Sequence, residues 1–289
     1  MNHFFTRFFP GCWQGLLLVI CSLSTASGWQ LNQAPGPAAE PFQTALSIPQ
    51  GKIVTRQYDF QEAGKKMDYV LYIPRSLKPG KKVPLVVALH GLLSTPGQIM
   101  RYPGMTRLAE KYGFIVVAPW GYNNRGWYGS LGQRSRRGKP ENLGELSEKD
   151  VMNVVAIVQE DFPVDERRIY LLGHSMGGGG AFHLAIKYPQ KWGGVATIAP
   201  AVYGDPDRLE TIKHVPVMIV QGAKDGLVSV KRTRRWVEKM KKLNMNHRYI
   251  EVAEGGHLFV AFSHLPKIFE YLAQQSQQQT LPKPKPAGG

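Results

Sequence analysis

Two stretches of this chain, PLVVALHG from Pro84 and FIVVAPWG from Phe114, are continuously apolar. That pattern marks strands buried on both faces, as in a parallel sheet, because a strand with one wet face alternates instead. Two such strands need crossover connections, and the sequence supplies segments of helical period after them. SEKDVMNVVAIVQEDF puts Val151, Val154, Val155 and Val158 on one face, with Ser147 to Asp150 in the pattern of a capping box. The strands RIYLLG, GGVATIAP, VPVMIVQG and HRYIEV follow, separated by helices carrying Ala181, Leu184, Ala185 and Tyr188, then Trp236, Val237, Met240 and Leu243; a last helix starts near Phe259. At the front, KIVTRQYDF and MDYVLYIP alternate about Gly64-Lys65-Lys66 and read as an antiparallel hairpin. QIMRYPGMTRLAEKYG carries a helix in its second half, beyond Pro103. The expected fold is α/β, a single doubly wound, mostly parallel sheet of eight strands with helices on both faces.

RIYLLG runs into GHSMG, Gly173 to Gly177, and then into a helix. A strand that turns sharply into a helix strains its corner residue, and glycines two positions to either side relieve the crowding. The corner residue is Ser175, whose hydroxyl is thereby presented at the carboxyl edge of the sheet. The N–H of Met176 sits at the helix start, where partial positive charge favours an oxyanion. Gly178, Gly179 and Gly180 read as permitting close packing.

A serine hydroxyl is inert at neutral pH and needs a base oriented by an acid. In the order Ser, acid, His, both lie beyond Ser175 in loops after strands: Asp225 after VPVMIVQG and His257 after HRYIEV. Asp205 and Asp207 also follow a strand, in an Asp-Pro setting that suits a turn or helix cap. His264 comes late and reads as a surface or packing residue; His183 and His247 fall inside elements, His214 precedes a strand, and His174 points away from the corner. The second oxyanion donor belongs to HGLLSTPG, with Leu92 N–H first and Gly91 its neighbour, while His90 ties down the loop.

HGLLS, GHSMG, GAKDGLV and EGGH stand in one order between Lys52 and Leu272. Together they resemble the α/β-hydrolase superfamily. Within it, DYVLYIPRSLKPGKKVPLVVALHG, AEKYGFIVVAPWG and VDERRIYLLGHSMGG look like the secreted polyhydroxyalkanoate-depolymerase and feruloyl-esterase-like group, and are also similar to the catalytic domains of prolyl-oligopeptidase-type hydrolases. The resemblance implies a carboxylic ester hydrolase with a Ser175–His257–Asp225 triad, and neither metal nor organic cofactor. It leaves small-molecule and polymeric esters both open.

Specificity is expected from the aperiodic segment between Trp120 and Ser147, since long loops in compact domains are usually functional or disordered. Trp120, Trp127 and Tyr128, with Tyr122, are candidates to wall an acyl or aryl cleft, and Arg125, Arg134, Arg136 and Arg137 to attract an anionic group. The alternative is that Trp120 packs beneath the loop and the arginines are solvated.

Residues 1–28 hold one cation, an apolar run from Leu16 and small residues ending at Ala26-Ser27-Gly28, the pattern of a cleavable signal peptide. A periplasmic or secreted address follows. Both cysteines, Cys12 and Cys21, lie in it, so the mature chain offers no thiol nucleophile and no cysteine zinc site. Residues 29–51 read as a flexible linker, 52–274 as the catalytic domain and 275–289 as a disordered tail, because the ends are rich in Pro, Gln and Ala without periodicity. The formal net charge of +15 is compatible with contact to an anionic cell-envelope surface or with a solvated cationic face, and no nucleic-acid-binding motif accompanies it. Two other functions share the fold: a serine peptidase, disfavoured because a folded core of roughly 240 residues leaves no room for a substrate-screening propeller, and a non-catalytic envelope-binding protein.

Overall fold

The apolar runs become the middle of one sheet. The computed structural model describes residues 48–131 and 139–280; the signal pattern of residues 1–28, most of the linker, and Arg134, Arg136 and Arg137 lie outside the described residues. The strands are β1 (Ile53–Phe60), β2 (Lys65–Tyr72), β3 (Val83–Leu89), β4 (Ile115–Pro119), β5 (Val164–His174), β6 (Gly194–Ile198), β7 (Val217–Gly222) and β8 (His247–Val252). Their spatial order is β1-β2-β4-β3-β5-β6-β7-β8. The leading hairpin is antiparallel and β2 pairs antiparallel with β4, while every pair from β4 to β8 is parallel.

The helices are α1 (Pro96–Met100), α2 (Met105–Tyr112), α3 (Leu143–Asp161), α4 (Met176–Lys187), α5 (Val230–Lys242) and α6 (Phe259–Thr280). Alternate residues of β3 serve different cores, as period-two geometry requires. Leu85, Val87 and Leu89 pack in one cluster with Val151 of α3, Phe182 of α4 and Trp236 of α5. Val86 and Ala88 pack in a second with Ile99 of α1, Leu108 of α2 and Phe269 of α6. Pro103 falls between α1 and α2, so it breaks neither; α1 is started by Thr95, whose side chain accepts the Gln98 N–H, with Pro96 at its first position.

Three sequence expectations need correction. The helix containing Ser147 begins at Leu143, so Ser147 and Asp150 are interior and cap nothing. Both are fully buried and satisfy loop donors instead. Ser147 Oγ accepts the Tyr128 N–H at 2.9 Å, and Asp150 accepts the Gly121 N–H at 2.6 Å and the Tyr58 hydroxyl at 2.6 Å. The polar side chains lie on the helix face that the loop covers, where loop N–H groups would otherwise be buried unpaired. The supposed tail from residue 275 is helical to Thr280: Gln275 and Ser276 are buried, and Gln279 donates to Gly193 O at 2.9 Å and accepts from the Tyr170 hydroxyl at 2.9 Å. At the front, Ile48 is already buried and Gly51 N–H donates to Ile73 O at 2.7 Å, so ordered chain extends into the supposed linker.

Candidate active site

Ser175 is the corner between β5 and α4, with φ 57° and ψ −115°. An L-residue holds that conformation only when its surroundings enforce it. Here Ser175 N–H donates to Ile198 O at 2.9 Å and Ala201 N–H donates to Ser175 O at 2.9 Å, so β6 and the chain after it grip the corner. The flanking glycines provide clearance: a Cβ on Gly173 would lie 2.1 Å from Gly177 O, and one on Gly177 would lie 2.0 Å from Leu89 O. The later glycines do the same, since a Cβ on Gly179 would meet Ala201 O at 2.4 Å and one on Gly180 would meet the Tyr128 ring at 2.6 Å.

Asp225 stands in the turn after β7 and His257 in the loop after β8, and Lys224 N–H to Gly255 O at 3.0 Å ties the two segments together. His257 Nδ1 donates to Asp225 Oδ2 at 2.8 Å. The carboxylate also accepts the N–H groups of Leu227 and Val228 on Oδ1 at 2.8 and 2.9 Å, and the Gln221 amide on Oδ2 at 3.1 Å. The Asp225 side chain is fully buried. Burial alone would raise its pKa, but the Val228 and Leu227 N–H bonds and the His257 ring outweigh that and hold it below the usual carboxylate value. An ionised Asp225 on Nδ1–H leaves Nε2 of His257 as the free base. Ser175 and His257 line one cavity of about 820 Å³, whose walls include Tyr102, Trp127, Leu93 and Phe262.

The oxyanion candidates are backbone groups on either side of Ser175. A Cβ on Gly91 would lie 3.5 Å from Ser175 Cβ, so the loop after β3 rests on the corner. Leu93, at φ 63°, donates its N–H to Asn124 O at 3.0 Å, and Ser94 N–H donates to Gly91 O at 3.1 Å, leaving Leu92 N–H and Met176 N–H without an acceptor among the described residues. His90 is buried beneath this loop, its Nδ1 2.9 Å from Gly91 O and its Nε2 3.0 Å from Trp120 O. Burial drives its pKa down while the two carbonyls act in the opposite sense, and the ring braces the loop from beneath.

Of the aromatic candidates only Trp127 reaches the cavity. It packs edge-on to Tyr203 at 5.5 Å, and its indole N–H finds no acceptor among the described residues. Tyr128 is fully buried, its ring against Gly180 and its hydroxyl donating to His90 O at 3.3 Å. Trp120 meets His90 edge-on at 5.9 Å and packs with the Phe60, Met67 and Leu146 cluster, as Tyr122 does. Those three support the loop from below rather than wall the cleft, because the turns at Gly121 and Gly126 fold the segment back onto Ser147. Arg125 is exposed and off the cavity.

The rival acids and histidines are engaged elsewhere. Asp205 caps the short turn of helix at Pro206, accepting the Asp207 N–H at 3.0 Å, and Asp207 pairs with Lys239 at 2.8 Å. His183 contacts Glu148 at 2.7 Å, His214 contacts Pro189 O, and His247 contacts Met245 O. His264 sits on α6 beside Ser263.

Sequence reasoning missed three supporting residues. Gln221 holds Asp225 and accepts the Thr233 hydroxyl at 2.9 Å; a lone amide in the apolar run of β7 was the available signal, since a buried polar group must find partners. Tyr102 and His174 form the other pair. The Tyr102 hydroxyl donates to His174 Nδ1 at 2.7 Å, and His174 Nε2 donates to His257 O at 3.3 Å. The His174 ring lies 4.9 Å from that of His257. Burial, helped by the neighbouring His257, pushes the His174 pKa down to about 4. No residue spacing announces this pair, because it joins the end of β5 to the segment between α1 and α2.

The Esterase family model matches residues 61–272 of this sequence, from the turn after β1 into α6. The chain belongs to the Esterase family. It is 31% identical over 156 residues to the S-formylglutathione hydrolase of Bos taurus, covering 50% of this chain and 55% of that protein. The chain spans about half the length of the curated relatives it matches. Among solved structures, the CE1 ferulic acid esterase of Anaeromyces mucronatus superposes with TM-score 0.61 at 17% identity, covering 78% of this chain and 91% of that one. The S-formylglutathione hydrolase of Agrobacterium tumefaciens gives TM-score 0.62 at 18% identity, with 77% and 95% covered. Both share the α/β-hydrolase fold with this member of the family.

Proposed function

We propose that this protein is an exported serine hydrolase that cleaves carboxylic esters through an acyl-enzyme on Ser175. The observation that carries the reading is the His257 Nδ1 contact to Asp225 Oδ2, 2.8 Å long, on the wall of the cavity that also contains the strained Ser175. Asp225 orients His257 and stabilises its imidazolium; His257 Nε2 takes the Ser175 proton as Oγ bonds to the ester carbonyl carbon. The oxyanion is held by the N–H groups of Leu92 and Met176. Collapse expels the alcohol, which takes the proton from His257, and water then releases the acid by the same steps in reverse. The cavity volume suits a small ester or the end group of a larger one, and its apolar walls favour a bulky acyl or aryl group. The extracytoplasmic address rests on the pattern of residues 1–28.

The test is labelling with a fluorophosphonate alongside turnover of p-nitrophenyl acetate and butyrate. Wild type labels and turns over, Ser175→Ala does neither, and Asp225→Asn loses about 10⁴-fold in kcat. Labelling of Ser175→Ala, or full activity in Asp225→Asn, overturns the assignment. Release of p-nitroaniline from aminoacyl anilides faster than p-nitrophenol from esters would replace esterase by peptidase.

A further inference from the structure

Among the described residues, all but one of the large apolar side chains left exposed line the mouth of the catalytic cavity: Leu92 and Leu93, Tyr203 and Leu227, Leu258 and Phe262. The remaining one, Phe259, follows Leu258 at the start of α6. They come from segments far apart in sequence, after β3, β6, β7 and β8, so the fold gathers them at the carboxyl edge of the sheet. Leu227 is 75% exposed and Phe259 63%. A single acyl chain inside the cavity would leave Phe259 uncovered, since Phe259 forms no part of its wall. A concentrated apolar patch with a polar surround is the mark of a surface that meets another phase or partner.

Two arginines stand beside this collar, and the exposed Asp205, two residues after Tyr203, accepts the Asp207 N–H. Arg101 is on the cavity wall, and the Arg232 guanidinium lies 4.3 Å over the Tyr203 ring. The nearby carboxylate of Glu254 is taken by Lys224, and that of Asp225 is buried. Next to Arg232 in sequence, α5 carries Lys231 and Arg235, while Arg234 is paired with Glu251. Apolar side chains flanked by cations suit an anionic lipid surface, where the apolar groups enter the headgroup boundary and the cations meet phosphates. A second copy of the chain fits less well, because a two-fold contact through the collar would bring like cations together.

We propose that this collar docks the catalytic face on an anionic lipid–water interface, so that the ester is drawn from the lipid phase. The docking stands on the surface alone; the origin of the ester rests on the esterase reading above.

The experiment is co-sedimentation of the full chain, carrying Ser175→Ala, with vesicles of phosphatidylcholine alone or with about one third phosphatidylglycerol. The leading apolar segment is present in every variant, so differences between variants report the collar. Binding to anionic vesicles is expected to exceed that to neutral ones by about tenfold and to weaken with salt. Phe259→Ser and Arg232→Glu are each expected to lower it about fivefold or more, with Tm unchanged. With Ser175 restored, Phe259→Ser keeps wild-type turnover of p-nitrophenyl acetate. Absence of binding, equal binding to both vesicle types, or binding insensitive to both substitutions overturns the proposal. A dimer in sedimentation velocity that Phe259→Ser dissolves overturns it in favour of a second copy. Vesicle binding does not depend on turnover, so loss of the esterase reading would leave this result standing, and the converse.

Discussion

His174 sits one residue before Ser175, yet its ring is turned into the protein, accepting from Tyr102 and donating to the His257 carbonyl. Its displacement from 6.5 to about 4 corresponds to about 3 kcal/mol between the two protonation states. Because the native pKa lies below the unfolded one, the unfolded chain binds more protons between those values. The contribution is therefore complete above pH 6.5 and is lost as pH falls toward 4. Asp150 acts in the opposite sense: burial, only partly offset by the bonds from Tyr58, Tyr122 and Gly121, raises its pKa from 3.8 to about 6. Its contribution is present below 3.8 and is lost as pH rises through about 6. The two overlap, so they must be separated by substitution. In His174→Gln the fall in Tm between pH 7 and pH 5 becomes smaller than in wild type, and in Asp150→Asn it becomes larger; thermal melts across that range check both.

The turn from β5 into α4 is the element on which the site depends, and its tolerance for a methyl group is set by backbone rather than by side chains. A Cβ on Gly177 would fall 2.0 Å from Leu89 O and 2.8 Å from His90 O. Gly177→Ala therefore pushes the turn away from β3 and the loop after it together, at an expected cost of about 1–3 kcal/mol and with a loss in kcat larger than the change in KM; melts and steady-state kinetics measure the two. The segment between β4 and α3 behaves differently, being pinned from below by Ser147 and Asp150 with Trp127 as its contribution to the cavity. Trp127→Ala should raise KM for bulky acyl and aryl esters and leave acetate esters little changed. Equal kinetics on every ester would remove Trp127 from the specificity wall.

At the scale of the molecule, α6 closes the face of the sheet that carries Val86 and Ala88, and its last turns reach across to β5 and the start of β6 through Gln279. A chain ended after Gln274 should melt lower than one ended after Thr280, by the loss of the buried Gln275 and Ser276 and of that clamp. The strands, the parallel order implied by their apolar runs and the Ser175, Asp225 and His257 positions were legible in the sequence because each is a local pattern: a buried run, a glycine-boxed corner, a polar residue just past a strand. The polar end of α6 was not, since its side chains are satisfied only by groups on distant strands. Nor were the partners of Ser147 and Asp150, whose capping pattern is locally indistinguishable from a pair of loop anchors. The sequence by itself determined the apolar runs of the strands and put Ser175, Asp225 and His257 each just past a strand as candidates for nucleophile, acid and base. Tertiary structure alone decided that Trp127 faces the cavity while Trp120 and Tyr128 lie beneath it, that His174 steadies His257, and that scattered apolar residues meet in one collar, because each depends on which loops the sheet order brings to the same edge.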